Sequence, residues 1–255
     1  MRNFLTRLKS VNPLLYWFGW IMWAGALASS ILLAATDTNI LGINAWIKPL
    51  KFFVSVAIMT WTIGYLMQWL DRKKEVRIFS RILVVTMGIE LLIISMQSAR
   101  GQQSHFNISS AFNGILFNVM GAAIVVFTLG AAYICYLFFK QKKFTIPATL
   151  VWGIRLGLLF FVFFASEGGV MVVKLAHTIG GPDGGAGLPF VNWSREHGDL
   201  RISHFFGLHS LQILPLYSYF LAKSKQQAIV FSLLYFIASL FLLVMALNGL
   251  PIIRY

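Results

Sequence analysis

The sequence predicts an all-α, polytopic transmembrane bundle of seven helices, and three observations predict it. Apolar runs of about 20 residues recur along the chain, the length a helix needs to cross a hydrocarbon core. Only 11% of the 255 residues are charged, whereas an ordinary soluble domain carries about 25%. Lys and Arg fall into short clusters between the apolar runs, mainly in alternate links. Lipid offers no partner to the backbone, so runs of this length must be helical to satisfy their own N–H and C=O groups.

The first run, 14–35, follows the basic stretch MRNFLTRLKS. The tetrapeptide ALAS at 26–29 imitates a signal-peptide cleavage site, but the run continues to Ala35. That exceeds the h-region of a typical signal, about 7–15 residues, so a retained first helix is expected. The remaining runs are 47–70, 78–99, 112–139, 149–176, 203–222 and 228–249. No composition shift, low-complexity tract or repeat interrupts them, so residues 1–255 read as one integral membrane domain.

The formal charge of +13 would suit nucleic acid, but the basic residues occupy membrane-flanking links, so no nucleic-acid partner is expected. The N-terminus and the links DRKKEVR, KQKK and KSKQQ carry twelve Lys and Arg, against four on the other side: Arg100, Arg195, Arg201 and Arg254. The bias predicts a cytoplasmic N-terminus and an outer C-terminus. Trp46 and Trp193 then fall at the outer interface, and Trp69 and Trp152 at the inner one. The lone Cys135 has no partner for an internal disulfide.

With that orientation, the polar residues inside or beside the spans collect toward the outer side. All five histidines fall there: His105, His177, His197, His204 and His209. Asn44, Lys48, Lys51 and Ser55 follow i, i+4, i+7, i+11 and are expected on one face of the second helix. Glu90 and Gln97 share a face of the third helix, and Glu167 and Lys174 a face of the fifth. Charged groups within spans must face partners or a water-filled cavity. The expected arrangement is one pocket open to the outside, rimmed by RGQQSHFN (100–107) and the Gly-rich link 177–202. Arg81 and Arg155 lie near cytoplasmic helix ends and read as snorkelling side chains.

These residues suggest specific chemistry. Lys48, Lys51 and Arg100 form a cationic wall suited to an anionic group. Glu90, His105, His204 and His209 are the candidate catalytic residues for proton transfer. His105, His204 and His209 are also candidate ligands of a metal ion or haem b. Asn44, Gln97, Asn107, Glu167, Lys174, Asp183, Asp199, Arg201 and Gln212 complete the candidate ligand-binding set. The bland readings stand beside these: interface anchors for the lysines, structural ion pairs for the glutamates, and cross-helix hydrogen bonds for the histidines. His204 and His209 are five apart, about 140° around a helix, unlike the i, i+4 zincin pair. GGPDGGAGLP (180–189) lacks a P-loop ending, no Gly-x-Ser-x-Gly elbow is present, and no lysine lies deep in the last helix for a retinal Schiff base.

The strings NAWIKPLKFFVS (44–55), ARGQQSHFN (99–107) and PDGGAGLPFVNWSREHGDLRISHFFGLHSLQILPL (182–216) resemble those of a group of bacterial multi-pass membrane proteins. The resemblance covers about half the chain. It implies a bacterial inner-membrane protein and carries no activity, cofactor or residue role. A looser resemblance, in helix count and scattered histidines, is to seven-helix metal hydrolases of the alkaline ceramidase type, whose late histidine pair is spaced i, i+4 rather than i, i+5.

The sequence leads to three functional expectations. The first is an outward pocket binding or processing an anionic or amphipathic small molecule, with metal-assisted hydrolysis or transfer as one form of that processing. The second is haem- or quinone-linked electron transfer. The third is small-molecule or proton-coupled transport.

Overall fold

Helix formation follows the apolar runs closely. In the computed structural model, which describes residues 2–185 and 187–253, eight α-helices occur: α1 (Arg2–Val11), α2 (Pro13–Ala35), α3 (Ile47–Leu66), α4 (Lys73–Ala99), α5 (Ala111–Lys140), α6 (Ala148–Lys174), α7 (Leu200–Phe220) and α8 (Lys225–Leu247). Two short antiparallel pairs join them, β1 (Asn39–Ile40) with β2 (Ile43–Asn44), and β3 (Thr178–Ile179) with β4 (Gly198–Asp199). Arg254, counted above on the outer side, lies outside the described residues.

Among the described residues, six helices are long and apolar enough to cross a membrane: α2, α3 with its 3₁₀ extension to Trp69, α4, α5, α6 and α8. The protein is an all-α, multi-pass membrane protein. The 21-residue α7 is where the sequence expects it but is not among those six. Its apolar character is diluted by Ser203, His204, His209, Ser210, Gln212 and Ser218.

The chain divides into two units, Met1–Leu137 and Phe138–Tyr255. In the first, α1 is a helix the apolar runs did not signal. It is short and amphipathic, burying Leu8, packing the Phe4 ring at a tilt against Tyr65 and donating from Arg7 Nε to Gln68. Pro13 starts α2 at a position that needs no N–H, and Asn12 caps it by accepting from the Leu15 N–H. The Asn12 amide also donates to Ser80 of α4, tying the two helices together.

Leu41 and Gly42 both have positive φ, 50° and 77°, as a two-residue type I′ hairpin between β1 and β2 requires. Asn44 therefore lies in β2, not on the helical stripe the spacing suggested. Its Nδ2 donates to the Thr36 and Leu33 carbonyls, and its Oδ1 accepts from the Trp46 N–H. Helix α3 begins only at Ile47, with Pro49 in its first turn.

In the second unit, α6 and α7 pack at close range. Gly153 and Gly157 form a GxxxG pair on α6. Facing them, α7 offers Ser210 and Ser218, with Ser210 Oγ donating to the Gly157 carbonyl at 2.9 Å, while Gly207 lies against Phe164, whose ring a Cβ there would approach to 1.9 Å. Helix α8 closes the apolar core, where Leu156, Phe160 and Leu214 meet Ile229, Phe231 and Phe236. Arg155, near the start of α6, is half-buried. It donates to the carbonyls of Phe138 and Gln141, fixing the end of α5 and the link to α6.

Candidate functional site

The first unit gathers its chemistry at one end, where α2 finishes, α3 begins, α4 finishes and the 100–110 loop returns to α5. Lys48, half-buried in the first turn of α3, places Nζ 3.1 Å from His105 Nδ1 in that loop. Ser104 Oγ lies 3.0 Å from the same nitrogen. The Lys48 ammonium sits over the Phe52 ring, which also packs on the His105 ring. Lys48 is also the cation whose charge acts on Glu90, which is buried within α4. Glu90 Oε1 is buried without a hydrogen-bond partner among the described residues. Lys51 is half-buried one turn further along α3, and Ser55 is exposed. A cation and an imidazole from two separate segments thus meet, and the cation's charge acts on a buried carboxyl from a third, groups whose chemistry includes anion binding and proton transfer.

The amides beside this group hold the loop. Gln97 is buried, donates to Asn113 Oδ1 and the Gln103 carbonyl, and accepts from Arg100. Arg100 also donates to Asn113 and stacks on Phe112 with its guanidinium 4.8 Å from the ring centroid. It is nonetheless exposed, so its remaining donors face outward. Asn107 donates to the Gln103 carbonyl and accepts from Ser109. A cleft of about 600 Å³ opens between the β1–β2 turn and this loop, lined by uncharged residues including Asn39, Leu41, Gln103, Phe106 and Asn107. Phe106 lines it in the left-handed region, φ 57°, with its ring edge-on to Phe117.

The second unit has its own polar cluster where α6 ends and α7 begins. Glu167 is buried and accepts a short hydrogen bond from Ser203, while its Oε2 has no partner among the described residues. His204 Nδ1 lies 2.8 Å from the Phe164 carbonyl. A carbonyl can only accept, so Nδ1 carries the proton and Nε2 is the ring's remaining functional nitrogen. His209 makes the same kind of bond within its own helix, to the Phe205 carbonyl at 2.7 Å, and packs on the Phe205 ring. Lys174, the last residue of α6, is exposed, and Gln212 is half-buried.

Two acidic residues of the candidate ligand-binding set hold the 175–199 segment. Asp183 accepts from the backbone N–H groups of His177 and Thr178 and from the His177 ring. Burial works against its ionisation. The hydrogen bonds from His177 and Thr178, with the His177 charge, outweigh that and hold its carboxyl well below the usual carboxylate range. Asp199 is fully buried at the α7 N-cap, accepts from the Arg201 and Ser194 N–H groups and forms an ion pair with the Arg201 guanidinium.

Among the described residues, no three His, Cys, Asp or Glu are grouped to hold a metal ion. The sequence reasoning missed Ser104, Asn113 and Ser203, small polar residues with no distinctive spacing that complete each cluster. Compared with protein-family models, curated proteins and solved structures, the chain matches none.

Proposed function

We propose that the protein binds an anionic or amphipathic small molecule at the Lys48–His105–Glu90 group and handles a proton there. The observation that carries this reading is the Lys48–His105 contact, in a unit whose buried Glu90 carboxyl has an unpartnered oxygen. Lys48 supplies positive charge to the ligand's head, and His105 or Glu90 exchanges the proton. The uncharged cleft around Phe106 and Asn107 is the approach. In this reading α7 is a seventh span, its polar face covered by α6. The group then faces the periplasm of a bacterial inner membrane, with the N-terminus cytoplasmic, as the Lys and Arg distribution supports. A reporter fused after Tyr255 tests the seventh span, which activity only in the cytoplasm overturns, and a reporter fused in the 100–110 loop tests the outward face, which activity only in the cytoplasm there overturns.

Binding is tested with dodecyl phosphate and oleate as probes, added to purified wild-type, Lys48→Met and His105→Ala protein. Saturable thermal stabilisation of the wild type, weakened at least roughly tenfold in Lys48→Met, is expected, consistent with the loss of a charge-assisted hydrogen bond. Equal responses in all three sink the reading. A second reading, haem b-linked electron transfer, is favoured by His204, whose Nδ1 bond to Phe164 orients its ring as a metal-ligating histidine is oriented. A Soret band that shifts on dithionite reduction of the purified protein, and is lost in His204→Ala, is its test.

A further inference from the structure

At the opposite end of the first unit, a groove of about 300 Å³ runs between α4 and α5. Its floor and walls are Ile78, Phe79, Ile82, Gly130 and Tyr133, with Lys74 and Glu75 at its mouth. Gly130 shapes it: a Cβ there would meet the Phe79 ring at 2.7 Å, so the missing side chain lets the ring lie against α5 and keeps the channel beside it open. Phe79 also stacks on Phe127 of α5.

The exposed face of α4 beside this groove has a distinct order. Lys74, Arg77 and Arg81 follow i, i+3, i+7, and Ile78, Ile82 and Val85 follow i, i+4, i+7 on the adjoining strip. All three cations are exposed, and none has a hydrogen-bond or ion-pair partner among the described residues. They extend over about 10 Å of helix. Arg81 stands two turns into a membrane-capable helix, where an unpaired guanidinium is costly unless an anion or the headgroup layer meets it. The nearest acid on the same helix, Glu75, faces Arg72 at 4.0 Å.

We infer that this groove is a binding site for an anionic phospholipid. One acyl chain lies along Ile78, Ile82 and Tyr133 over Gly130, and the headgroup phosphate rests on Lys74, Arg77 and Arg81. An exposed apolar groove flanked by unpartnered cations is complementary to a molecule that carries both a fatty chain and a phosphate, and basic pockets between membrane helices recognise such headgroups. The site is separate from the Lys48–His105 group and does not depend on that group's proposed role.

The test is native mass spectrometry of the full chain released from nanodiscs of equal phosphatidylglycerol and phosphatidylcholine, for wild type, Lys74→Gln/Arg77→Gln/Arg81→Gln and Gly130→Leu. The three cations are exposed, so the triple variant is expected to fold, which its thermal melt verifies. Wild type should retain phosphatidylglycerol preferentially. The triple variant should lose that preference, by about fivefold for each cation removed. Gly130→Leu, which fills the groove but keeps the cations, should also lose it. Parity between the two lipids in wild type overturns the site. So does an unchanged preference in the triple variant. Preference kept in Gly130→Leu, or lipid displaced by millimolar inorganic phosphate, would mean a diffuse cationic surface and would overturn it as well.

Discussion

Lys48 Nζ and His105 Nδ1 lie 3.1 Å apart, joining the first turn of α3 to the loop after α4. An ammonium only donates, so Nδ1 accepts and the neutral ring carries its proton on Nε2. Nitrogen NMR of histidine-labelled protein, with His105 assigned by substitution, should show an unprotonated Nδ1 at neutral pH. In Lys48→Met that resonance should move toward a mixture of tautomers. A protonated Nδ1 in the wild type would remove the contact from the functional argument.

The Asp199–Arg201 pair makes a prediction of opposite sign for single and double variants. Asp199 has no exposed side-chain area, and Arg201 is its charge partner. Arg201→Ala strands a buried carboxylate and should cost about 3–5 kcal/mol. Adding Asp199→Asn removes that charge and should restore part of the loss. Chemical denaturation of the three variants in detergent checks this, and a double variant weaker than Arg201→Ala would contradict it.

The Asp183 lock should fail in acid. Its folded-state carboxyl titrates below its unfolded value, so its contribution is full above about pH 4 and disappears as pH falls through the folded value. Asp183→Asn should lower stability by about 1–3 kcal/mol at pH 7, the scale for hydrogen bonds to a charged group. The gap between wild type and variant should narrow as pH falls below about 4. Melting curves with limited proteolysis in the 177–202 link report it, and a gap constant from pH 7 to 3 would be incompatible with the lock.

Gly207 is a packing position with no tolerance. A methyl there would overlap the Phe164 ring, so Gly207→Ala should destabilise by about 1–3 kcal/mol and Gly207→Leu by more. Gly88, whose Cβ would meet nothing within 4 Å, is the control, and Gly88→Ala should cost little by packing. Comparable losses at both positions would mean that close helix contact is not the cause.

The helices were legible because uninterrupted hydrophobicity encodes them directly; the expected run 112–139 became Ala111–Lys140. What periodicity left open was the start of α3 and the particular contacts that the loops make. Asn44 was put on a helical stripe by spacing alone, although Pro49, suited to a first turn, already argued for a later start. The approach of His105 to Lys48 depends on how residues 100–110 fold back, and periodicity carries no such information. The polar character of α7 was read as chemistry. Much of it is the Ser203, Gly207, Ser210 and Ser218 series, whose i, i+4, i+7, i+15 spacing is a packing signal visible in the sequence.

That series also bears on how the chain is made. Helix α7 carries Ser203, Ser210 and Ser218 along one side, which would be costly against lipid alone. Helix α6, synthesised before it, carries the matching Gly153 and Gly157 surface. The covering surface for α7 is therefore already made when α7 is synthesised, and Ser210 donating to the Gly157 carbonyl satisfies a hydroxyl that lipid would leave bare.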